Sequence, residues 1–316
     1  MGRRFGGILS KQKKMKITIT GSLGHISKPL AQELVQKGHT VTVISSNSER
    51  RREIEALGAV AAIGSIEDVV FLAAAFSGAD AVYLMEPPPG PAVMFDKDFD
   101  VIGHLNMLAH VFVEAVEKAG VKRVVHLSSI GAHTDKGTGI LVFHYNVERI
   151  LGTLPADVSI MTMRPVGFYY NLFSFIDTIK TQGAIVSNYG GDEVEPWVSP
   201  VDIASAVAEE LVSPVGGRRV RYVASDEVSP NEAAAILGAA IGKPDLPWVA
   251  ISDEQLLSGL KAMGMNAQFA LGYVEMNASR RGGVLYQDYH RHRPVLGRVK
   301  LTDFARDFAA AYAAKQ

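Results

Sequence analysis

From Lys16 onward the chain alternates short apolar, β-branched runs with longer stretches in which apolar positions recur every three to four residues. Strand-length runs interleaved with amphipathic helix-length segments are the signature of βαβ units, and of a parallel sheet covered on both faces. The runs predict seven strands, at Lys16–Thr20, Thr40–Ile44, Val60–Ile63, Ala81–Met85, Arg123–Leu127, Ser159–Met163 and Val220–Ala224. Helical periodicity covers His25–Lys37, closed by Gly38, and Asp98–Ala119, closed in the same way by Gly120,.

After Arg164-Pro165 the rhythm loosens into an aromatic segment, Phe168–Phe175, and the turn Tyr189-Gly190-Gly191. The pattern returns with a helix at Pro200–Leu211 and the last strand, then turns mainly helical from Pro230 to the end. This predicts a first domain from 15–165 plus 198–225, and a discontinuous second lobe from 166–197 plus 226–316. No internal repeat is visible, and Ala-rich stretches such as Ala233–Ala240 read as helix.

With 316 residues, 47% of them apolar and 21% charged, the chain can bury a full core and is no candidate for wholesale disorder,. Its 32 basic and 33 acidic side chains give a formal charge of -1, which supplies no field for nucleic acid or an anionic membrane,. The charge is uneven, however. Residues 1–14 hold Arg3, Arg4, Lys11, Lys13 and Lys14 and no acid, so the rest carries 27 bases against 33 acids, a net of -6. We read 1–14 as a basic, flexible leader on an acidic body. Zero cysteines exclude disulfides, thiolate catalysis and Cys-ligated metal,. No apolar run approaches the length that spans a bilayer, and a cytoplasmic protein is expected. Nucleic acid and membrane are not expected partners, and a homo-oligomer stays open.

The most informative residues come first. Ile17-Thr18-Ile19-Thr20-Gly21-Ser22-Leu23-Gly24-His25-Ile26-Ser27 is a strand that breaks into a glycine-bearing turn and opens a helix. Gly21 permits the tight turn. Gly24 lets the backbone approach a pyrophosphate held by the free N–H groups and positive end of the following helix. Ser27 replaces the third glycine of the GxxGxxG form, at the place where helix and strand pack closely. At the end of the second strand an acid would accept from the 2′-hydroxyl of NAD, whereas the sequence offers Ser45, Ser46, Asn47 and Arg50. These can donate to a 2′-phosphate, so NADP(H) is the expected cofactor and NAD(H) the alternative.

The chain resembles the NmrA-like branch of the atypical short-chain dehydrogenase/reductase superfamily over nearly all of 15–225. The resemblance rests on Gly21-Ser22-Leu23-Gly24, Tyr83-Leu84-Met85-Glu86-Pro87-Pro88, Val124 to Ala132, His144 with Glu148, Met163 to Asn171, and Trp197 to Ala204. It implies an α/β fold: a Rossmann-type doubly wound parallel sheet with a smaller, mainly helical C-terminal substrate lobe. NADP(H) would lie across the strand ends, touching Met85, Glu86, Pro87, Ser128, Pro165, Val166 and Phe168 besides the loop Gly21 to Ile26. The family holds NAD(P)H-dependent reductases of quinones and other electrophiles, together with non-catalytic proteins that sense the cofactor's redox state.

Most short-chain dehydrogenases use a tyrosine and a lysine four residues later on one helix, with a serine polarising the carbonyl. Aligned through Glu148, the lysine position here falls on His144 and the tyrosine position on Ile140, so the usual dyad is absent. Ser128 or Ser129 supplies the serine. His144 is the candidate proton donor, or else a structural partner of Glu148 at i+4. Tyr145, with Arg149, is a weaker mimic of the dyad, because arginine exchanges no proton. Phe168, Tyr169, Tyr170 and Asn171 could wall a flat aromatic substrate, with packing between the lobes as the other reading for at least one of the rings. His290-Arg291-His292-Arg293 reads as a solvated loop, and Asp202 as a helix-dipole partner, so no metal is expected. The reading is a reductase of a small, quinone-like electrophile; the alternative is a redox sensor acting through a protein partner.

Overall fold

The structure is a computed structural model that describes residues 13–87, 90, 92–214 and 216–315. Of the basic leader, only Lys13 and Lys14 fall within them.

The first half alternates strand and helix without exception: β1 (Lys16–Ile19), α1 (Ser27–Gln36), β2 (Thr40–Ser45), α2 (Arg51–Ala56), β3 (Val60–Ile63), α3 (Val69–Phe76), β4 (Ala81–Leu84), α4 (Val101–Ala119), β5 (Arg123–Leu127), α5 (Val142–Leu151) and β6 (Ser159–Pro165). The chain then leaves the sheet through β7 (Gly167–Phe168), α6 (Ile176–Gln182), β8 (Ile185–Ser187) and β9 (Glu195–Val198). It returns with α7 (Pro200–Val212) and β10 (Arg218–Val223), and ends in β11 (Asp226–Val228), α8 (Pro230–Ala240), β12 (Trp248–Ala250), α9 (Asp253–Ala262), α10 (Ala267–Arg281), α11 (Gln287–Arg291) and α12 (Leu301–Ala314).

The main sheet has seven parallel strands in the order β10-β6-β5-β4-β1-β2-β3. The order reverses between β1 and β4, and ligands of such sheets bind at the carboxyl ends beside that switch. All seven predicted strands exist; β3 and β5 have the predicted bounds, and the other five differ at one end or both. β1 and β4 stop before Thr20 and Met85 because the Thr20 hydroxyl takes the Met85 N–H at 2.9 Å, replacing the ladder with a side-chain link. β10 begins two residues early, at Arg218, since an edge strand admits charged residues that face solvent,.

Two buried clusters cover the faces of this sheet, one built on Ile19, Leu30, Val43 and Met163, the other on Val82, Phe112, Val124 and Ile160. A third joins Tyr169, Trp197, Leu237, Trp248 and Phe308, so segments on both sides of β10 in sequence share one core. Leu285, Tyr286 and Tyr289 pack into the first cluster, bringing α11 back onto the Rossmann core.

Asp202 does lie in the first turn of α7, but its carboxylate accepts from Ser225 Oγ (2.6 Å) and Val299 N (3.0 Å). It therefore ties the segment before α12 to the end of β10, a role beyond the helix dipole. His290–Arg293 is exposed as expected, although its first half is the last turn of α11 and not loop. Among the described residues no group of three or more potential ligands could hold a metal, and no helix is long and apolar enough to cross a membrane.

Candidate functional site

The turn between β1 and α1 has the shape its sequence requires. Gly21 adopts φ +86°, and a Cβ there would lie 2.5 Å from Ser27 Oγ and 3.0 Å from Met85 Sδ, so only glycine fits,. Ser22 follows with φ 53°, its N–H bonded to the Ile44 carbonyl at 3.1 Å. The helix starts at Ser27, two residues later than the periodicity indicated, because Gly24 to Ile26 complete the turn. Ser27 fills the place of the third glycine without opening the junction: it is buried and its hydroxyl donates to the Thr20 carbonyl at 2.9 Å. No side chain caps α1 and no acid sits in its first turn. Its leading N–H groups thus suit a pyrophosphate, and the loop fits the cofactor it was read for.

At the end of β2, Ser45 is buried and accepts from Ser22 Oγ at 2.9 Å and from Asn47 N at 3.2 Å, while Ser46 is exposed. Asn47 spends its side-chain oxygen on Glu49 N. Arg50, read as a phosphate contact, is turned to Glu53 (2.8 Å), which also takes Lys28 Nζ (2.8 Å). The sequence reading had no place for this acid between two cations.

Beyond β4, β5 and β6 the ladder continues through Ser128 N to Met163 O and Ile130 N to Pro165 O, both 2.8 Å, and Val166 N to Val223 O, 3.1 Å. This aligns Ser128, Pro165 and Val166 at one edge. Glu86 turns inward to the fully buried His126 (Oε2 to Nε2, 3.1 Å). Next to Glu86, Pro87 stays half-buried and Met85 packs against the core.

The candidate catalytic side chains are held differently from the expectation. Glu148 does not pair with His144. It accepts from Ser128 Oγ (2.5 Å) and forms a two-pronged pair with Arg164 (2.9 and 2.7 Å). Arg164 also reaches Asp288 (3.1 Å) and the Ala132 carbonyl (3.3 Å), and Tyr222 completes the network on Asp288 at 2.7 Å. The Ser128 hydroxyl is therefore buried and engaged. The His144 ring lies tilted against that of Phe143 (ring centroids 3.8 Å apart), its Nδ1 has no partner, and burial, then nearby His126, holds it well below the ordinary imidazole value. Tyr145 lies under the Arg149 guanidinium at 5.0 Å, a cation–π pair,.

The aromatic segment divides. Tyr169 is fully buried, stacked on Phe304 and bonded to the Val299 carbonyl, and is a packing residue. Phe168 is half-buried against the Rossmann core. Tyr170 and Asn171 are exposed; the Tyr170 ring touches His25 of the phosphate loop, with centroids 3.9 Å apart. The same Tyr170 and Asn171 line a cavity of about 440 Å³, whose other walls include Tyr189, Trp197, Asn277 and Arg280. Arg280 and Asn277 were not read from the sequence. Arg280 pairs with Glu195, 85 positions away, at 2.6 Å, and no spacing signals such a contact.

A sheet of this order with an uncapped phosphate loop at its switch point defines a dinucleotide-binding Rossmann protein. Residues 21–153 match the family of NAD(P)H-binding domains. Over these residues the chain is similar to NAD(P)H-binding domains. It is 25% identical over 301 residues to the NAD(P)H azoreductase of Xenophilus azovorans, which covers 94% of this chain and 99% of that one. Its fold is similar to an NADPH-dependent quinone oxidoreductase from Escherichia coli in complex with NADPH (TM-score 0.74, 19% identity, 92% of this chain and 99% of that one). It is similar also to the triphenylmethane reductase of Citrobacter sp. with NADP(H) (TM-score 0.70, 20% identity, 93% and 99%). At these identities the structural likeness establishes fold and leaves chemistry to the site.

Proposed function

We propose that the protein is a reductase that takes NADPH in preference to NADH and delivers its hydride to a small, flat, quinone-like electrophile. The observation that carries the reading is Tyr170, which touches the phosphate loop at His25 and lines the aromatic cavity, so cofactor site and cavity adjoin through one side chain. The bound nicotinamide would supply the hydride. The chain supplies the loop Gly21 to Ile26 for the pyrophosphate, Ser45 to Arg50 for the 2′-phosphate, and the edge Met85, Glu86, Pro87, Ser128, Pro165, Val166 and Phe168 for the rest. We divide it into a cofactor domain, 15–165 plus 198–225, and a substrate lobe, 166–197 plus 226–316. The cysteine-free chain is compatible with a reducing cytoplasm, where we place it.

With the Ser128 hydroxyl engaged by Glu148 and His144 held neutral by burial and by His126, neither stands ready as a proton donor, so product protonation falls to water, which quinone-like acceptors tolerate,. The test follows NADPH absorbance with purified protein and a panel of quinones, enals and imines, with NADH in parallel. Substrate-dependent oxidation, faster with NADPH, is expected. No oxidation while NADPH is shown to bind would overturn the reductase in favour of a cofactor-sensing protein, the reading that the missing tyrosine–lysine dyad favours.

A further inference from the structure

Asn277 and Arg280 stand three residues apart on α10, hence on one face of the helix, and both line the aromatic cavity,. Asn277 is 1% exposed and its Nδ2 has no hydrogen-bond partner. The Arg280 side chain is 9% exposed; its Nη1 serves Glu195 and Tyr286, while its Nε has no partner. The guanidinium lies 4.3 Å from the centre of the Tyr189 ring and 5.6 Å from that of Trp197, which fixes its plane between aromatic walls. Two buried N–H donors left unpaired destabilise the empty site, and an acceptor that reaches them from the cavity relieves that cost,.

The charge of the site selects the acceptor. Glu195 already neutralises Arg280 in a close, buried pair, so a second carboxylate would enter a pocket with no cation to spare,. A neutral oxygen needs only the two donors. From this geometry we infer that Asn277 and Arg280 determine specificity by anchoring a neutral hydrogen-bond acceptor, a ring carbonyl or its equivalent, on a flat aromatic substrate. The inference rests on the cavity being the substrate site of the proposed reductase, and it separates ketone- and quinone-bearing aromatics from those that lack an acceptor.

The test uses binding, which needs no turnover. Trp197, one of two tryptophans in the chain, walls the cavity, so its fluorescence reports occupancy. The NADPH-loaded protein is titrated with fluorenone, with fluorene, which lacks only the carbonyl, and with fluorene-9-carboxylate. Fluorenone is expected to bind roughly three- to tenfold more tightly than fluorene, the worth of one or two hydrogen bonds, and the carboxylate no more tightly than fluorene. N277L keeps the size of the side chain and removes the unpaired donor; it should melt at or above the wild-type temperature and lose most of the fluorenone advantage. N277A repeats the comparison if leucine does not fit. Equal binding of fluorenone and fluorene by the wild type overturns the inference, as does an advantage that survives in the folded variant or a preference for the carboxylate. Because NADPH oxidation is measured separately, failure of the reductase reading and failure of the anchor are distinguishable.

Discussion

Glu53 shows how a single side chain decides what its neighbours can do. Its carboxyl is held below the usual carboxylate range by hydrogen bonds from Lys28 and then Arg50, so both cations beside the end of β2 are occupied. A 2′-phosphate would have to compete with it for Arg50. Glu53→Gln should therefore tighten NADPH at least about twofold while leaving NADH nearly unchanged, as rim charges do. Parallel titrations with the two cofactors check this, and equal shifts for both would refute a 2′-phosphate contact by Arg50. At this scale the phosphate loop was legible, because Gly21 is required by its left-handed backbone and a Cβ at Gly24 would come within 3.1 Å of the Gly21 carbonyl,. The state of Arg50, Ser128 and His144 was not legible, because each depends on which partner reaches it first in space.

At the scale of elements, Arg164 fastens β6 to α5 through Glu148 and to α11 through Asp288. The network is nearly buried, with 9% of the Arg164 side chain exposed. Removing the arginine leaves two carboxylates without their cation, so Arg164→Ala should destabilise the protein by about 3–5 kcal/mol, the range for breaking a buried ion pair. Urea denaturation with an unchanged m-value would measure it; a loss below about 1 kcal/mol would show that the network is dispensable. The pairs Arg164–Glu148 and Arg164–Asp288 join residues 16 and 124 positions apart. The sequence presented Glu148 only as a helical neighbour of His144, since periodicity describes the face of one helix at a time.

Across the whole molecule, burial holds the imidazoles of His39, His133 and His144 below their ordinary value. The folded protein keeps them neutral while the unfolded chain takes up protons near pH 6.5, so the unfolded state binds more protons as the solution is acidified. Stability is complete above that value and falls as pH drops from about 6.5 toward the depressed folded-state values, by at most about 1.4 kcal/mol per pH unit for each histidine. The carboxylates of Asp100, held low by the Gly103 N–H, and Asp253, held low by Arg281, act only below the ordinary carboxylate range, in a separate window. Denaturation at pH 7.5 and 5.5 should show the loss, and His144→Phe should make it smaller; an identical loss in the variant would remove His144 from the account.

The order of strands and helices, the seven-stranded parallel sheet and the glycine turn for the cofactor were determined by the sequence alone. Each follows from neighbours along the chain: alternation, periodicity, and a backbone conformation that glycine permits. Only the tertiary structure decided that Ser128 serves Glu148, that Tyr169 packs while Tyr170 reaches His25, and that Asn277 and Arg280 line one cavity with Glu195 paired to Arg280. Those are contacts across 20 to 145 positions, and their energies come from burial and pairing, which are properties of a packed interior and are written in no local pattern.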